Sequence, residues 1–113
     1  MATDFNEKVW ATISKIPRGK VSTYLEIARA LGNPKAVHAV GNACSANPDA
    51  PLVPCHRVVS SSGKICGYAH GTKKKIALLA NEGVRVKAGK ITGFEKKLFK
   101  FQLRKFYFAK NER

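Results

Sequence analysis

The stretch that decides the fold is residues 23–46, TYLEIARALGNPKAVHAVGNACSA. At its start, Thr23 and Glu26 have the spacing of a capping box, in which two side chains satisfy the free N–H groups of a helix N-terminus. Gly32 suits the left-handed position that follows a helix C-terminus. The pattern therefore predicts a first helix at about Thr23 to Leu31.

A second helix is predicted at about Pro34 to Ala46, with Asn33 as its cap, because proline suits the first helical position. The turn between the two helices is very short, which is typical of a helix-turn-helix. The outer face of the second helix is slim and polar. Such a helix can lie in a DNA groove, although an ordinary solvent-facing helix has the same pattern. The polar face consists of Lys35, His38, Asn42 and Ser45.

The surrounding segments complete the fold prediction. An amphipathic helix opens at Asp4, LVPCHRVV is predicted as a short buried strand, and KICGY as a second strand that returns beside it. Another helix is capped by Thr72 and ended by Gly83, a small hairpin is centred on Gly89, and a last helix begins at Glu95. A hairpin after a helix-turn-helix is a winged arrangement. The predicted fold class is mainly α with a small β hairpin, a winged helix-turn-helix DNA-binding-like domain.

The chain is strongly basic. Its 113 residues contain 21 Lys and Arg against 7 Asp and Glu, a formal net charge of +14. An anionic partner would screen this self-repulsion, and a polyphosphate is favoured because phosphate neutralisation releases counterions. A solvated, soluble surface is the alternative.

The cysteines are Cys44, Cys55 and Cys66, an odd number whose spacing matches no C-x-x-C zinc site. We therefore predict reduced thiols, no metal and no cofactor. Cys55 can act as a nucleophile if a base or cation lowers its pKa from about 8.5. His56 is adjacent, but neighbouring side chains of a strand point to opposite faces, so we expect a water relay, with Glu82 orienting the imidazole. Inert core packing is the alternative for Cys55.

Two further patterns concern location. No apolar run approaches the ~20 residues that span a bilayer. The N-terminal MATDFNEKVW lacks the basic and apolar regions of a signal peptide. The sequence thus predicts an intracellular protein with no membrane partner.

The motif PCHRV, Pro54 to Val58, resembles the active-site motif of the O6-alkylguanine-DNA alkyltransferases, also called methylated-DNA–protein-cysteine methyltransferases. The likeness runs without an internal gap over about Phe5 to Phe101, and it is to the C-terminal catalytic domain of that family only. We expect this catalytic domain at residues 1–101, followed by a basic aromatic tail at residues 102–113 that lies beyond the resemblance.

The resemblance implies DNA repair. Cys55 would take the alkyl group from O6 of a guanine flipped out of the duplex, in an irreversible, single-turnover transfer. The implied catalytic residues are Cys55, His56, Glu82, Asn47, Tyr24 and Lys75. The residues implied to bind the base are Pro54, Val58, Tyr68, Ala69 and His70, and those implied to bind DNA are His38, Lys35, Asn42, Ser45, Thr23 and Arg57.

Individual roles follow from the same resemblance. Asn47 would brace the turn before the site, and Tyr24 would hydrogen-bond the guanine ring. The backbone carbonyls of Cys55 and Val58 would accept from the exocyclic amine. The backbone N–H of Ala69 would donate towards O6, where negative charge develops on the departing guanine, and Lys75 would support that charge.

The sequence departs from the family pattern at two places. His38 stands where the family usually has an arginine that fills the gap left by the flipped base, which predicts weaker stabilisation of the flipped state. Ala69 and His70 stand where the family commonly has Ser-Gly or Gly-Gly. His70 is therefore predicted to narrow the pocket against bulky alkyl groups.

Two other functions stay open. Alkyltransferase-like sensors bind O6-alkylguanine and flag it for another repair pathway, and they typically replace the nucleophilic cysteine, so Cys55 argues against this class. A plain winged-helix regulator would use PCHRV only as core. The expected partner for repair is double-stranded DNA carrying O6-alkylguanine. The protein would act as a monomer that can bind side by side along DNA.

Overall fold

The computed structural model describes residues 4–68 and 70–101. Five helices and four two-residue strands follow one another in this part of the chain. In order they are α1 (Asp4–Ile13), β1 (Ser22–Thr23), α2 (Tyr24–Ala30), α3 (Val37–Ser45), β2 (Val58–Val59), α4 (Thr72–Asn81), β3 (Val86–Lys87), β4 (Lys90–Ile91) and α5 (Phe94–Lys97), with one 3₁₀ turn at Cys55–Arg57 before β2. The mainly helical, DNA-binding-like fold predicted from the sequence is confirmed.

The helix-turn-helix is formed by α2 and α3. Thr23 caps α2 as predicted, because its hydroxyl accepts a 3.0 Å hydrogen bond from the N–H of Glu26. Gly32 follows α2 with a φ of +82°, and the N–H of Asn33 returns to the carbonyl of Ala28 at 3.0 Å, which closes the helix end. The first predicted helix is therefore confirmed.

The predicted start of the second helix is wrong by three residues. α3 begins at Val37 rather than Pro34, because Asn33 forms its own turn: its Oδ1 accepts from the N–H of Lys35 and its carbonyl accepts from the N–H of Ala36. Lys35 consequently lies in the turn before α3 and not on the helix.

The hydrophobic core has two clusters of buried residues. The first lies where α1, α2 and α3 pack together, and it includes Cys55 and Val58. A hydrogen bond also joins α1 to α3 at this cluster, because the indole Nε1 of Trp10 donates to the carbonyl of Ala43 at 2.8 Å. The second cluster lies beneath α4 and the small hairpin and consists of Val21, Val59, Ile65, Leu79, Val84 and Ile91. The segment 55–59 passes from one cluster to the other, so the core holds it on both sides.

The prediction of a continuous strand through LVPCHRVV is wrong. Residues 55–57 form a 3₁₀ turn in which the N–H of Arg57 donates to the carbonyl of Pro54 at 2.9 Å. Only Val58–Val59 is extended, and it pairs in parallel with Ser22–Thr23, a strand that the sequence did not predict. The alternation of strand side chains therefore does not apply to Cys55 and His56.

The prediction that KICGY returns as a strand beside PCHRV is also wrong. Cys66 has a φ of +44°, a left-handed conformation that ends any extended run at this point. Only Lys64 forms a β-bridge, and its partner is Lys90. The predicted hairpin around Gly89 is present as β3 and β4, joined by Ala88 and Gly89 with φ of +53° and +77°.

The remaining elements need small corrections. Thr72 is the first residue of α4, and Gly71 occupies the cap position without a side-chain hydrogen bond. Gly83 follows the end of α4 with a φ of +83°, as predicted. The last helix starts at Phe94, one residue before the predicted Glu95, and ends at Lys97. Ala69 and the predicted tail at 102–113 lie outside the described residues, within which none of the helices is long and apolar enough to cross a bilayer.

Candidate active site

Cys55 lies at the start of the 3₁₀ turn, and its side chain is held by Asn47. The Asn47 Nδ2 group donates to Cys55 Sγ at 3.2 Å and to the carbonyl of Val53 at 2.8 Å. The backbone N–H of Asn47 donates to the carbonyl of Cys44, at the end of α3. Asn47 thus connects α3 to the loop that carries the buried cysteine.

The surroundings of Cys55 favour its thiolate. A hydrogen bond from the Cys44 thiol is the largest influence that lowers the pKa of Cys55. Burial acts in the opposite direction, and the Asn47 amide and the positive charge of Lys75 lower the pKa further, so the net direction is downward. The same contact and burial raise the pKa of Cys44. The pKa values of the two sulfurs thus shift in opposite directions, downward for Cys55 and upward for Cys44.

His56 and Glu82 form a buried pair next to this thiol. His56 Nε2 lies 2.9 Å from Glu82 Oε2, and His56 Nδ1 is buried with no hydrogen-bond partner among the described residues. Burial lowers the pKa of His56 despite its contact with Glu82, so the imidazole is neutral near pH 7. With Nε2–H donating to Glu82, the lone pair of Nδ1 is free to accept a proton.

Arg57 holds Glu82 in place. Its Nε donates to Glu82 Oε1 and its NH2 group to Glu82 Oε2, both at 2.9 Å, while NH1 donates to the carbonyl of Ile16. Burial would raise the pKa of Glu82, but the hydrogen bonds from Arg57 and His56 outweigh it and lower the pKa. The carboxylate is therefore ionised and oriented at neutral pH.

Lys75 is a fully buried cation beneath the site. Its Nζ donates to the carbonyl of Val58 at 2.7 Å and to the carbonyl of Gly67 at 3.2 Å. Burial lowers the pKa of Lys75 to about 8. The Val58 carbonyl, predicted to accept from the guanine amine, therefore already receives one hydrogen bond, and its second lone pair is the one left for a ligand.

A cleft of about 460 Å³ lies between α3 and the loop after β2. Tyr24 lines it, and burial raises the pKa of this phenol, so its hydroxyl remains a hydrogen-bond donor. The other lining residues are Val37, His38, Gly41, Asn42, Ser45, Ser60, Ser61 and Cys66. Three of the residues predicted to contact DNA, on the exposed face of α3, thus face one cleft together with Tyr24.

Two of the predicted DNA-contacting residues lie elsewhere. Thr23 is buried, and its hydroxyl is used in capping α2. The guanidinium of Arg57 is turned inward to Glu82 and Ile16. In both residues the polar group that would reach DNA already has an internal partner, and their contact with DNA stays a prediction.

Among the residues predicted to bind the base, Tyr68 lies between the buried His56 and the exposed His70. Tyr68 packs edge-to-face near His56, with ring centroids 6.4 Å apart, and near His70 at 5.4 Å. Pro54 is buried beside Cys55, and His70 is exposed. Ala69 is not among the described residues. Where the chain is described, no three His, Cys, Asp or Glu side chains come together as a metal site would require.

Two contacts of the site are not predicted by the sequence. The pairing of Cys44 with Cys55 joins residues eleven positions apart on different elements, and no local pattern indicates it. The sequence predicts that Arg57 contacts DNA, and its local pattern gives no indication that this guanidinium binds the Glu82 carboxylate. One feature of the composition could have indicated this contact. The chain has only 7 acidic residues against 21 basic ones, and a buried carboxylate such as Glu82 needs a cation beside it.

The fold and the site define a small helix-turn-helix domain built around a buried cysteine whose pKa is lowered. The family described as 6-O-methylguanine DNA methyltransferase, DNA binding domain, matches residues 4–84, and the chain belongs to this family. It is 56% identical over 77 residues to a probable methylated-DNA–protein-cysteine methyltransferase of Acanthamoeba polyphaga mimivirus, which covers 68% of this chain and 51% of the viral protein.

Two solved structures are also similar to this chain. The crystal structure of Mycobacterium tuberculosis OGT in complex with DNA is 47% identical, with a TM-score of 0.71, over 74% of this chain and 51% of that one. S. pombe Atl1 in complex with damaged DNA containing O6-carboxymethylguanine is 34% identical, with a TM-score of 0.76, over 89% of this chain and 100% of that one. The chain spans about half the length of the curated relatives it matches and the whole length of Atl1.

Proposed function

We propose that the protein repairs DNA by moving an alkyl group, typically methyl, from O6 of guanine to Cys55 in a single, irreversible turnover. The observation that carries this proposal is the state of Cys55: a buried sulfur with a lowered pKa, held by Asn47, beside a histidine with a free Nδ1. An inert core cysteine needs none of these neighbours. The 56% identical viral relative, named a probable methyltransferase of this kind, supports the same reaction.

The chemical step balances without a cofactor. The thiol proton of Cys55 passes through a water to Nδ1 of His56, which Glu82 and Arg57 orient. The thiolate then attacks the alkyl carbon, a C–S bond forms as the C–O6 bond breaks, and the electron pair stays on guanine. A proton returns to the ring, so that ordinary guanine leaves and Cys55 keeps the thioether.

The cleft beside α3 accounts for access to the base. O6 of a stacked guanine lies out of reach of a buried thiol, so the nucleotide has to leave the duplex. The polar face of α3 contains His38, Asn42 and Ser45 and lines the cleft together with Tyr24. We propose that α3 lies against the duplex and that the flipped base passes this cleft towards Cys55, with Tyr68 as one wall of its pocket.

Partner and location follow from the proposed reaction. Double-stranded DNA carrying O6-alkylguanine is the proposed substrate, and the crystal structures of M. tuberculosis OGT and S. pombe Atl1 with DNA support DNA as the partner. We propose that one copy of the chain suffices, with side-by-side binding on longer DNA, and that the protein acts inside the cell, where thiols stay reduced.

The test is intact-protein mass after incubation with a duplex carrying one O6-methylguanine, followed by peptide mapping. A gain of one CH₂ unit, located on Cys55, is expected. Cys55→Ser should gain nothing. Cys66→Ser is the matched control, because Cys66 is exposed, and it should still be alkylated at Cys55. Absence of the adduct in the folded wild-type protein would overturn the proposal.

A second candidate function is recognition of the lesion without chemistry. Its support is the alignment with Atl1, which this chain matches over 100% of that protein's length. Tight binding of the O6-methylguanine duplex with no mass gain at Cys55 would favour this function. The activated state of Cys55 is the reason that alkyl transfer is proposed first.

A further inference from the structure

The helix that faces the proposed DNA surface has little charge of its own. α3, Val37–Ser45, contains neither lysine nor arginine, and Lys35 in the preceding turn is the nearest cation in sequence. Phosphate neutralisation by Lys and Arg supplies most of the salt-dependent affinity of DNA-binding proteins. The cations that provide this affinity must therefore lie outside α3.

One exposed face of the β3–β4 hairpin carries such cations. Lys87 and Lys90 are direct partners in the hairpin, and Lys90 is also the bridge partner of Lys64. The Lys64–Lys90 bridge is of the non-hydrogen-bonded kind, because the flanking backbone bonds run from Ile65 to Gly89 and from Ile91 to Gly63, so the two side chains stand close together. Directly paired residues share one face of a sheet.

Arg85 belongs to the same face. It lies two residues before Lys87, and its carbonyl accepts from the N–H of Thr92, one rung beyond the Val86–Ile91 pair. The intervening residues Val86 and Ile91 turn towards the core instead. We call the exposed set the basic hairpin face, and it consists of Lys64, Arg85, Lys87 and Lys90.

The basic hairpin face has no internal counter-charge. Among the described residues, none of its four side chains forms an ion pair with a carboxylate. Glu82 is the only acidic residue between positions 60 and 92, and it is turned inward to His56 and Arg57. Like charges directly opposite each other destabilise a sheet, so this arrangement lowers the stability of the free protein. An anion bound across the face would remove that cost.

The chain connects this face to the proposed DNA cleft. Ser60 and Ser61 line the cleft opposite α3. The same turn leads to Lys64, and the N–H of Ser60 donates to the carbonyl of Lys64 at 2.9 Å. The basic hairpin face therefore begins at the far end of the turn that forms one wall of the cleft.

We propose that the basic hairpin face is a second DNA-contacting surface, which binds the phosphate backbone of the same duplex beyond the stretch covered by α3. This inference rests on the proposed function, because it takes the α3 cleft as the place where the lesion is bound. It assigns non-sequence-specific affinity to the hairpin and leaves recognition of the flipped base to the cleft.

The experiment compares two double variants of the full chain with the same change in charge. Lys87→Gln/Lys90→Gln removes two cations of the hairpin face, and Lys8→Gln/Lys15→Gln removes two exposed cations in and just after α1. Binding to a fluorescent duplex with one O6-methylguanine is measured by anisotropy at several NaCl concentrations. The Lys87→Gln/Lys90→Gln variant should have a less steep dependence of log K on log[NaCl]. The negative slope should decrease in magnitude by about 1.8, at roughly 0.9 per lost phosphate contact.

The outcomes separate this inference from the proposed function. Equal slopes for the two double variants, with normal binding by the wild type, would overturn the proposal that the basic hairpin face binds DNA. The proposed alkyl transfer would be unaffected by this result. Failure of the wild-type protein to bind the duplex at all would instead overturn the proposed function. The melting temperature of the hairpin double should be equal to or above that of the wild type, since a like-charge pair is removed. This result excludes misfolding as the cause of weaker binding.

Discussion

His56 Nε2 lies 2.9 Å from Glu82 Oε2, and the two side chains are only 2% and 7% exposed. The contact joins the 3₁₀ turn to the C-cap residue of α4, so the proposed proton acceptor is positioned by a residue 26 positions further along the chain. Arg57 completes the arrangement by donating to both carboxylate oxygens. The ionised state of Glu82 and the tautomer of His56 are therefore fixed by the same three side chains.

Glu82→Gln should slow alkyl transfer by roughly 10²-fold, the usual contribution of an oriented general base. The amide keeps the shape of the side chain but no longer fixes the His56 tautomer or neutralises Arg57. The free energy of unfolding should fall by about 2 kcal/mol, because Arg57 loses its charged acceptor. Single-turnover kinetics and urea unfolding measure the two effects, and Glu95→Gln, on an exposed residue, is the control that should change neither. A wild-type rate in Glu82→Gln would contradict the relay.

The stability of the protein should fall as the pH is lowered from 7 to 5. His56 has a lowered pKa in the folded state, so in this window the unfolded chain binds a proton at about its ordinary value of 6.5 and the folded chain does not. The lowered pKa of Glu82 extends the loss to still lower pH, since its contribution is present above the unfolded value and disappears as the carboxylate is protonated. Urea unfolding across this range measures the slope. His56→Gln should flatten it between pH 7 and 5, whereas His38→Gln should not.

Cys44→Ala should shift the pH dependence of Cys55 reactivity to higher pH. The alanine removes the thiol that donates to the Cys55 sulfur, which is the largest influence lowering that pKa. Cys44→Ser keeps a donor at the same position and should restore part of the reactivity at low pH. The measurement is the rate of iodoacetamide labelling of Cys55, followed by peptide mass at several pH values. Identical profiles for Cys44→Ala and the wild type would show that the contact does not tune Cys55.

His38→Arg should bind the O6-methylguanine duplex more tightly, by about 1 kcal/mol or roughly fivefold in Kd. Arginine is always charged and longer than histidine, so it can fill the gap left by the flipped base. His38 is exposed on α3 and lines the cleft, so the longer side chain has room. Anisotropy and single-turnover rates provide the comparison, and Ser14→Ala, at an exposed residue just after α1, is the control that should change neither. An unchanged affinity and rate would contradict the predicted role of His38.

His70→Gly should raise the rate on O6-benzylguanine more than the rate on O6-methylguanine. The His70 ring lies edge-on to Tyr68 at 5.4 Å, where it can narrow the mouth of the proposed base pocket. The ratio of the two single-turnover rates is the readout, and it should move towards the bulky substrate by several fold. Equal ratios in the variant and the wild type would contradict the prediction that His70 narrows the pocket against bulky alkyl groups.

Much of the fold follows from local sequence. The Thr23 cap, the left-handed Gly32 and the hairpin turn at Ala88 and Gly89 each depend on residues within a few positions, and such patterns act in any context. The sequence also singled out Cys55, His56 and Glu82 through the PCHRV motif and its resemblance to a family. These predictions required no knowledge of which elements pack together.

Tertiary structure decided the rest. The 3₁₀ turn at Cys55–Arg57 replaces the predicted strand because Pro54 starts a turn and the two core clusters hold the segment on either side. The donation from Cys44 to Cys55 and the enclosure of Glu82 by Arg57 join residues from different elements. The sequence by itself determined which side chains are candidates for the proposed chemistry. Only packing determined their pKa values and their partners, because burial and the distance between charges are properties of the folded chain.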